Sequence, residues 1–159
     1  KYYKNIDDAA DNSLGLIWDD KAAQDDIVSD QAMYLVKGKP VKLIINSRDV
    51  IHSVGMTHFR MKMDAVPGTP TTMWFTPLFT TKEMKEKTGN PDFVYEITCN
   101  QLCGKGHYSM RGVVEVVTQA EYDMWLIKQK PKYYAAFPDK DPANKKAESA
   151  TVAAAAQPE

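Results

Sequence analysis

The chain has 159 residues, a formal net charge of -1 and a hydrophobic fraction of 43%, values that fit one globular domain with an apolar core. The near-neutral balance and the lack of a basic run argue against a nucleic-acid binder, and no apolar stretch approaches the roughly 18 residues of a membrane span. Lys1 stands where an initiator Met would be, so a processed or truncated product is expected, with any membrane anchor upstream.

From Asp7 to Asp30 acids dominate: Asp7, Asp8, Asp11, Asp19, Asp20, Asp25, Asp26 and Asp30 against a single base, Lys21. Periodicity is poor there, so residues 1–30 read as an acidic, irregular segment with at most a short helical turn. Strand patterning follows. Met33 to Lys37 is apolar, and Gly38-Lys39-Pro40 signals a turn. Val41, Leu43 and Ile45 alternate with Lys42, Ile44 and Asn46, as a half-buried strand should. His52 closes a further expected strand. Val54 to Met63 mixes apolar and polar residues before a turn at Pro67-Gly68.

Thr71 to Thr76, with Trp74 and Phe75, is β-prone. Thr80 and Glu83 form a capping-box pattern that opens a helix ending at Gly89. Phe93 to Thr98 reads as a strand leading into Cys99, and Gly112 to Val117 as a β-branched strand leaving Met110. A second capping box, Thr118 with Glu121, starts a helix reaching about Lys130, and Pro131 stops it. Residues 131–159 are expected to be an extended, disordered tail. The core domain is therefore residues 31–130. Short strands with turn signals and two short helices indicate a mainly β chain, an antiparallel sandwich or barrel with peripheral helices.

Chemistry concentrates in Cys99-Asn100-Gln101-Leu102-Cys103-Gly104-Lys105-Gly106-His107-Tyr108-Ser109-Met110. Two thiols, an imidazole and a thioether share one loop between two strands, and Gly104 and Gly106 permit a tight backbone. This soft donor set favours copper. A disulfide between Cys99 and Cys103 would close too short a loop to stabilise much. Cys103, His107 and Met110 with a distant histidine would already make a mononuclear blue-copper site. That histidine is best assigned to His52, in Asp49-Val50-Ile51-His52-Ser53. Cys99 is then a surplus thiolate, as a binuclear centre with two shared sulfurs requires.

These residues resemble subunit II of haem–copper cytochrome c oxidase, whose copper motif is C-x-E-x-C-x3-H-x2-M with an upstream D-V-x-H-S. The similarity runs from about Lys39 to Trp125 and includes Asp64-Ala65-Val66-Pro67-Gly68. It implies a cupredoxin-like Greek-key β-sandwich or barrel on the periplasmic face of a bacterial inner membrane, or the equivalent mitochondrial face. It also implies a binuclear CuA centre that takes electrons from cytochrome c, or a cytochrome c domain, and relays them to haem in catalytic subunit I among other oxidase subunits. Carried over by position, Cys99 and Cys103 bridge two copper ions, and His52 and His107 each bind one. Met110 is a weak ligand of one ion and the Gln101 carbonyl of the other. The family usually has Glu where Gln101 stands. An amide is a poor ligand for a hard cation, which puts the family's interface magnesium contact in doubt. The family's membrane helices and Trp-rich strand have no counterpart in this sequence; Trp18 lies in a different context.

Other readings compete. The copper domain of a nitrous oxide or nitric oxide reductase shares the ligand pattern, although the Asp-Val-x-His-Ser and Asp-Ala-Val-Pro-Gly contexts favour an oxidase. A structural zinc could take Cys99, Cys103, His107 and His52, which leaves Met110 without a role. The Cys-x-x-Cys-His pattern of c-type haem is absent. His58 is read as a non-ligating residue hydrogen-bonded near the site. Met56, Met61, Met63 and Met73 are read as core filler, and Asp64 as either a turn-capping or an interface carboxylate. The acidic segment is a candidate landing surface for a basic cytochrome c.

Overall fold

A computed structural model describes residues 12, 14–29 and 32–142. These fall into two compact units, one spanning Ser29–Lys128 and the other built from residues up to Val28 together with those from Gln129 onward. Among the described residues no helix is long and apolar enough to cross a membrane.

The larger unit is mainly β. Its strands are β1 (Ala32–Val36), β2 (Val41–Ile45), β3 (His52–Met56), β4 (Met61–Ala65), β5 (Thr71–Phe75), β6 (Tyr95–Cys99) and β7 (Arg111–Val117). They form one sheet of order β1-β7-β6-β3-β4 and a two-stranded sheet of β2 and β5. The sheets are not wholly antiparallel, as the sequence pattern had suggested: β1 runs parallel to β7, Ala32 opposite Val113 through Val36 opposite Val117. Parallel neighbours need a long connection, and here the other strands supply it.

Side chains of both sheets build one core, including Leu35, Ile45, Met56, Met73, Phe75, Tyr95, Val114 and Val116. Met56 and Met73 are buried, and Met61 and Met63 pack against them, so the four methionines are filler as expected. In β2 the expected alternation holds, with Ile45 buried and Ile44 outward, 65% exposed. The stretch from Val54 to Met63 is a hairpin. β3 and β4 pair from His52 opposite Ala65 to Met56 opposite Met61, around a single 3-10 turn at Thr57–Phe59 that closes on Arg60 at φ 54. The usual Asn-Gly or Gly signal of such a turn is missing from the sequence. His52 consequently begins a strand rather than ending one.

Both capping boxes form. Helix α1 (Thr81–Thr88) starts with Glu83 N–H donating to Thr80 Oγ1 at 3.1 Å and Thr80 N–H to Glu83 Oε2 at 2.8 Å, and it stops at Gly89, φ 66. Helix α2 (Gln119–Ile127) is capped by Thr118 and Glu121 and ends a turn before Lys130. Trp125 of α2 stacks on Tyr34 of β1, ring centroids 4.6 Å apart.

In the smaller unit Asp20 caps a 3-10 turn at Lys21–Ala23, donated to by Ala22 N–H at 2.9 Å, within the segment read as irregular. Asp7, Asp8, Asp11 and Asp30 lie outside the described residues. Where an extended tail was expected from residue 131, helix α3 (Lys132–Ala136) and a 3-10 turn (Pro138–Lys140) form instead. The apolar signal is in the aromatic residues: Trp18 packs on Tyr133 and Phe137, with centroids 6.2 and 5.8 Å away. Residues 143–159, also assigned to the tail, lie outside the described residues.

Met56 is fully buried and Trp74 is 75% exposed, so size alone should not decide their worth. Met56→Ala is expected to lower stability by about 2–5 kcal/mol through the cavity it leaves, and Trp74→Ala to change it by about 0.5 kcal/mol or less. Urea unfolding of both variants followed by circular dichroism checks this; equal losses would refute the placement of the core.

Candidate metal centre

Strand register brings the first two donors together. Val54 of β3 lies opposite Cys99 of β6, which sets His52 and Cys99 at the same end of neighbouring strands. Asn100 N–H continues the pairing by donating to the Ser53 carbonyl at 2.8 Å. Gly55 allows it, because a Cβ there would meet the Asn100 side chain at 2.2 Å. At the other end of the loop Cys99 N–H donates to the Met110 carbonyl at 3.1 Å, just beyond the pairing of Thr98 with Arg111. The loop from Cys99 to Met110 is thus cinched shut at its base.

Inside the loop the backbone turns at Gly104, φ 137, a conformation that only glycine adopts easily. Gly106, expected to play a similar part, has an ordinary φ of -88. A 3-10 turn at His107–Ser109 follows, anchored by His107 N–H donating to the Gly104 carbonyl at 3.1 Å.

These turns gather the side chains. Cys99 Sγ and Cys103 Sγ lie 3.7 Å apart, well beyond a disulfide bond, and both are free, half-buried thiols. His52 Nδ1 is 3.7 Å from Cys99 Sγ, and His107 Nδ1 is 3.6 Å from Cys103 Sγ. Met110 Sδ is 3.4 Å from Cys103 Sγ, and the Gln101 carbonyl oxygen is 3.2 Å from Cys99 Sγ. All six residues singled out in the sequence therefore meet at one end of the larger unit. The ligand atoms of His52, Cys99 and Cys103 lie within 4.8 Å of one another. Thiolate, imidazole and thioether donors in this proportion fit copper.

The charges suit a cation. Burial pushes the Cys99 thiol up, but backbone hydrogen bonds at Ser53 and Gln101 and the imidazoles of His52 and His107 outweigh it and bring it down to about 6. Cys103 is raised, by burial first and then by the neighbouring Cys99 sulfur. Of the two, Cys99 is the thiol that ionises near neutral pH, and a bound cation would favour loss of the second proton.

Asp49 is the residue that reasoning from the sequence missed, although it stands three positions before His52 in the quoted motif. Its Oδ1 is 2.8 Å from His52 Nε2. It accepts the Nε2 proton, fixes the ring, and leaves Nδ1 facing the sulfur. The His52 hydrogen bond holds the Asp49 carboxyl at about 2. In turn, the Asp49 contact first and the Cys99 contact second raise His52. Ser53, fully buried next to His52, has an Oγ with no partner among the described residues.

His58 is elsewhere. Its ring stands edge-on to Phe93 and Tyr95, at centroid distances of 4.9 and 5.7 Å, toward the opposite end of β6 from Cys99. It stands among aromatic rings, apart from the six candidate donors, rather than hydrogen-bonded near them as the sequence reading had it. Asp64 is exposed in β4, and its backbone carbonyl accepts from Thr71 Oγ1.

Residues 18–117 match the profile of the cytochrome c oxidase subunit II periplasmic domain. The alternative cytochrome c oxidase subunit 2 of Bradyrhizobium diazoefficiens is 39% identical over 121 residues, 76% of this chain and 39% of that protein. Cytochrome c oxidase subunit 2 of Thermostichus vulcanus is 38% identical over 93 residues, 58% of this chain and 24% of that protein. The chain thus spans well under half the length of these curated relatives. Among solved structures, the periplasmic domain of subunit II of cytochrome oxidase from Bradyrhizobium japonicum superposes with a TM-score of 0.54 at 28% identity, covering 65% of this chain and 67% of that one.

Replacing Asp49 by Asn removes the charge that favours imidazolium, so His52 should titrate at lower pH in the metal-free chain. Proton NMR of the imidazole resonances across a pH series reads the change. An unmoved titration would show that the Asp49 contact does not govern the ring.

Proposed function

This chain belongs to the cytochrome c oxidase subunit II periplasmic-domain family, and from that premise we propose that it carries the binuclear copper centre through which a respiratory oxidase receives its electrons. His52, Cys99, Gln101, Cys103, His107 and Met110 are its ligands in this reading. The observation that carries it is the pair of sulfurs 3.7 Å apart with an imidazole nitrogen beside each, 3.7 and 3.6 Å away.

A single tetrahedral ion needs its donors within about 4 Å of one another. His107 falls outside the group of His52, Cys99 and Cys103 that approaches this, which supports two ions over one zinc. When bound, a copper pair supplies a one-electron carrier with its charge shared over both metals. The chain's own part is to hold the donors still. The cinched loop base, the Gly104 turn and the Asp49–His52 contact each fix a donor before metal arrives, which lowers the cost of reorganisation when charge changes.

The surroundings suit contact with partners. Leu102, Tyr108 and Met110 on the ligand loop, with Val50 and Ile51 beside His52, are exposed and give the metal end an apolar face. In this reading that face and its rim meet the haem-bearing catalytic subunit and the cytochrome c donor, on the outer side of a membrane that holds the rest of the protein. The backbone carbonyl of Gln101 serves the copper as a Glu carbonyl would, whereas its amide side chain is a poor magnesium ligand.

Loading with copper is expected to give two ions per chain by mass spectrometry. Electron paramagnetic resonance should show hyperfine structure from an electron shared by two equivalent coppers; a four-line mononuclear spectrum would refute the binuclear centre. For the donor, Asp19, Asp20, Asp25 and Asp26 would steer a basic cytochrome c. Changing all four to Asn, which keeps the cap at Asp20, should slow cytochrome c oxidation by the assembled oxidase several-fold at low salt. A rate that does not change would remove that surface from the reading.

A further inference from the structure

Away from the ligand loop, the larger unit has an apolar cleft of about 420 Å³. It lies at the Tyr95 end of β6, about 13 Å along the strand from Cys99. Buried Phe75 and Tyr95 form its floor, and Leu78 and Phe79, 69% and 38% exposed, form an open apolar lip. The lip is held by structure, since the Tyr95 hydroxyl donates to the Phe79 carbonyl at 3.1 Å and Lys87 Nζ sits 4.0 Å from the centre of the Phe79 ring.

The charged side chains that line this cleft are all basic. Arg60 and Lys87 line it, and no Asp or Glu among the described residues does. Neither cation pairs with a carboxylate among the described residues. Lys37 and Arg111, by contrast, have Glu83 and Glu96 as partners. Arg60 is presented by the left-handed residue that closes the β3–β4 turn, so its position is set by the hairpin. Apolar walls of this volume with a few fixed charges at the mouth describe a small-molecule pocket. Unpaired cations beside low-dielectric walls attract an anion.

We propose that this cleft binds a single-chain amphipathic anion, its hydrocarbon body against Phe75, Tyr95 and Leu78 and its carboxylate or equivalent head between Arg60 and Lys87. This would be a ligand site separate from the metal centre. The ligand is a monomer in solution rather than a membrane surface, because the apolar walls recede into a cleft instead of forming a flat face.

The test uses the copper-loaded chain with dansyl-undecanoic acid as a fluorescent probe. Dodecanoate below its micelle concentration should displace the probe at one site per chain, and dodecanol should compete far less well. The double variant Arg60→Asn, Lys87→Gln should weaken dodecanoate binding by about tenfold or more, with an unchanged copper spectrum and circular dichroism. Asn is chosen at position 60 because it tolerates a positive φ. Met84→Trp, which fills the cleft from α1, should weaken dodecanoate and dodecanol alike. Dodecanoate binding that survives the double variant, inorganic phosphate competing as well as dodecanoate, or binding only to phosphatidylglycerol vesicles would each overturn the proposal.

Discussion

The pairing of β3 with β6 is the constraint on which the rest depends. It sets Val54 opposite Cys99 and so fixes the one long-range relation in the ligand set, between His52 and a loop nearly fifty residues later. Every other donor is local to that loop. A slip of one residue would turn His52 to the opposite face of the sheet, and the second imidazole would then have no counterpart. The contacts that hold this register are correspondingly dense. Gly55 admits Asn100, Asn100 reaches Ser53, and fully buried Met56 closes the strand into the core.

In the proposed centre the loop sets its donors before any cation is bound. Its two sulfurs are close enough to oppose one another's ionisation, and the opposition is unequal: Cys99 falls to about 6 and Cys103 rises. The asymmetry follows from surroundings: backbone hydrogen bonds at Ser53 and Gln101 and the imidazoles outweigh burial at Cys99, whereas burial first and then the Cys99 sulfur raise Cys103. Asp49 adds a negative charge one step further out. Burial and hydrogen bonding thus work against each other at the same atoms.

Much of this was legible in the sequence because local chemistry announces itself. The capping boxes at Thr80 and Thr118, the glycine stop at Gly89 and the spacing of Cys99, Cys103, His107 and Met110 are all short-range patterns, and the structure brings those four side chains together with His52. What was not legible was set by distant partners. The β3–β4 hairpin turns through Arg60 in a left-handed conformation that no glycine or asparagine signals. The parallel pairing of β1 with β7 depends on tertiary packing that no window of sequence contains. Helix α3 forms where lysine, proline and alanine suggest a tail, because Tyr133 and Phe137 find Trp18, more than a hundred residues earlier in the chain. Asp49 was visible but looked like any loop acid until its oxygen was seen beside Nε2.

That parallel pairing also bears on how the molecule comes into being. The sheet's outermost strand is made first and its acceptor last, so on a ribosome the sheet must wait, one edge bare, until nearly all of this unit has emerged. Contacts between such remote segments close slowly, and an unpaired edge invites the wrong neighbour meanwhile. β7 both receives β1 and anchors the far side of the ligand loop. The strand that closes the candidate donor loop is thus also the last of the sheet to be made, so the far side of that loop cannot be held until β7 has emerged.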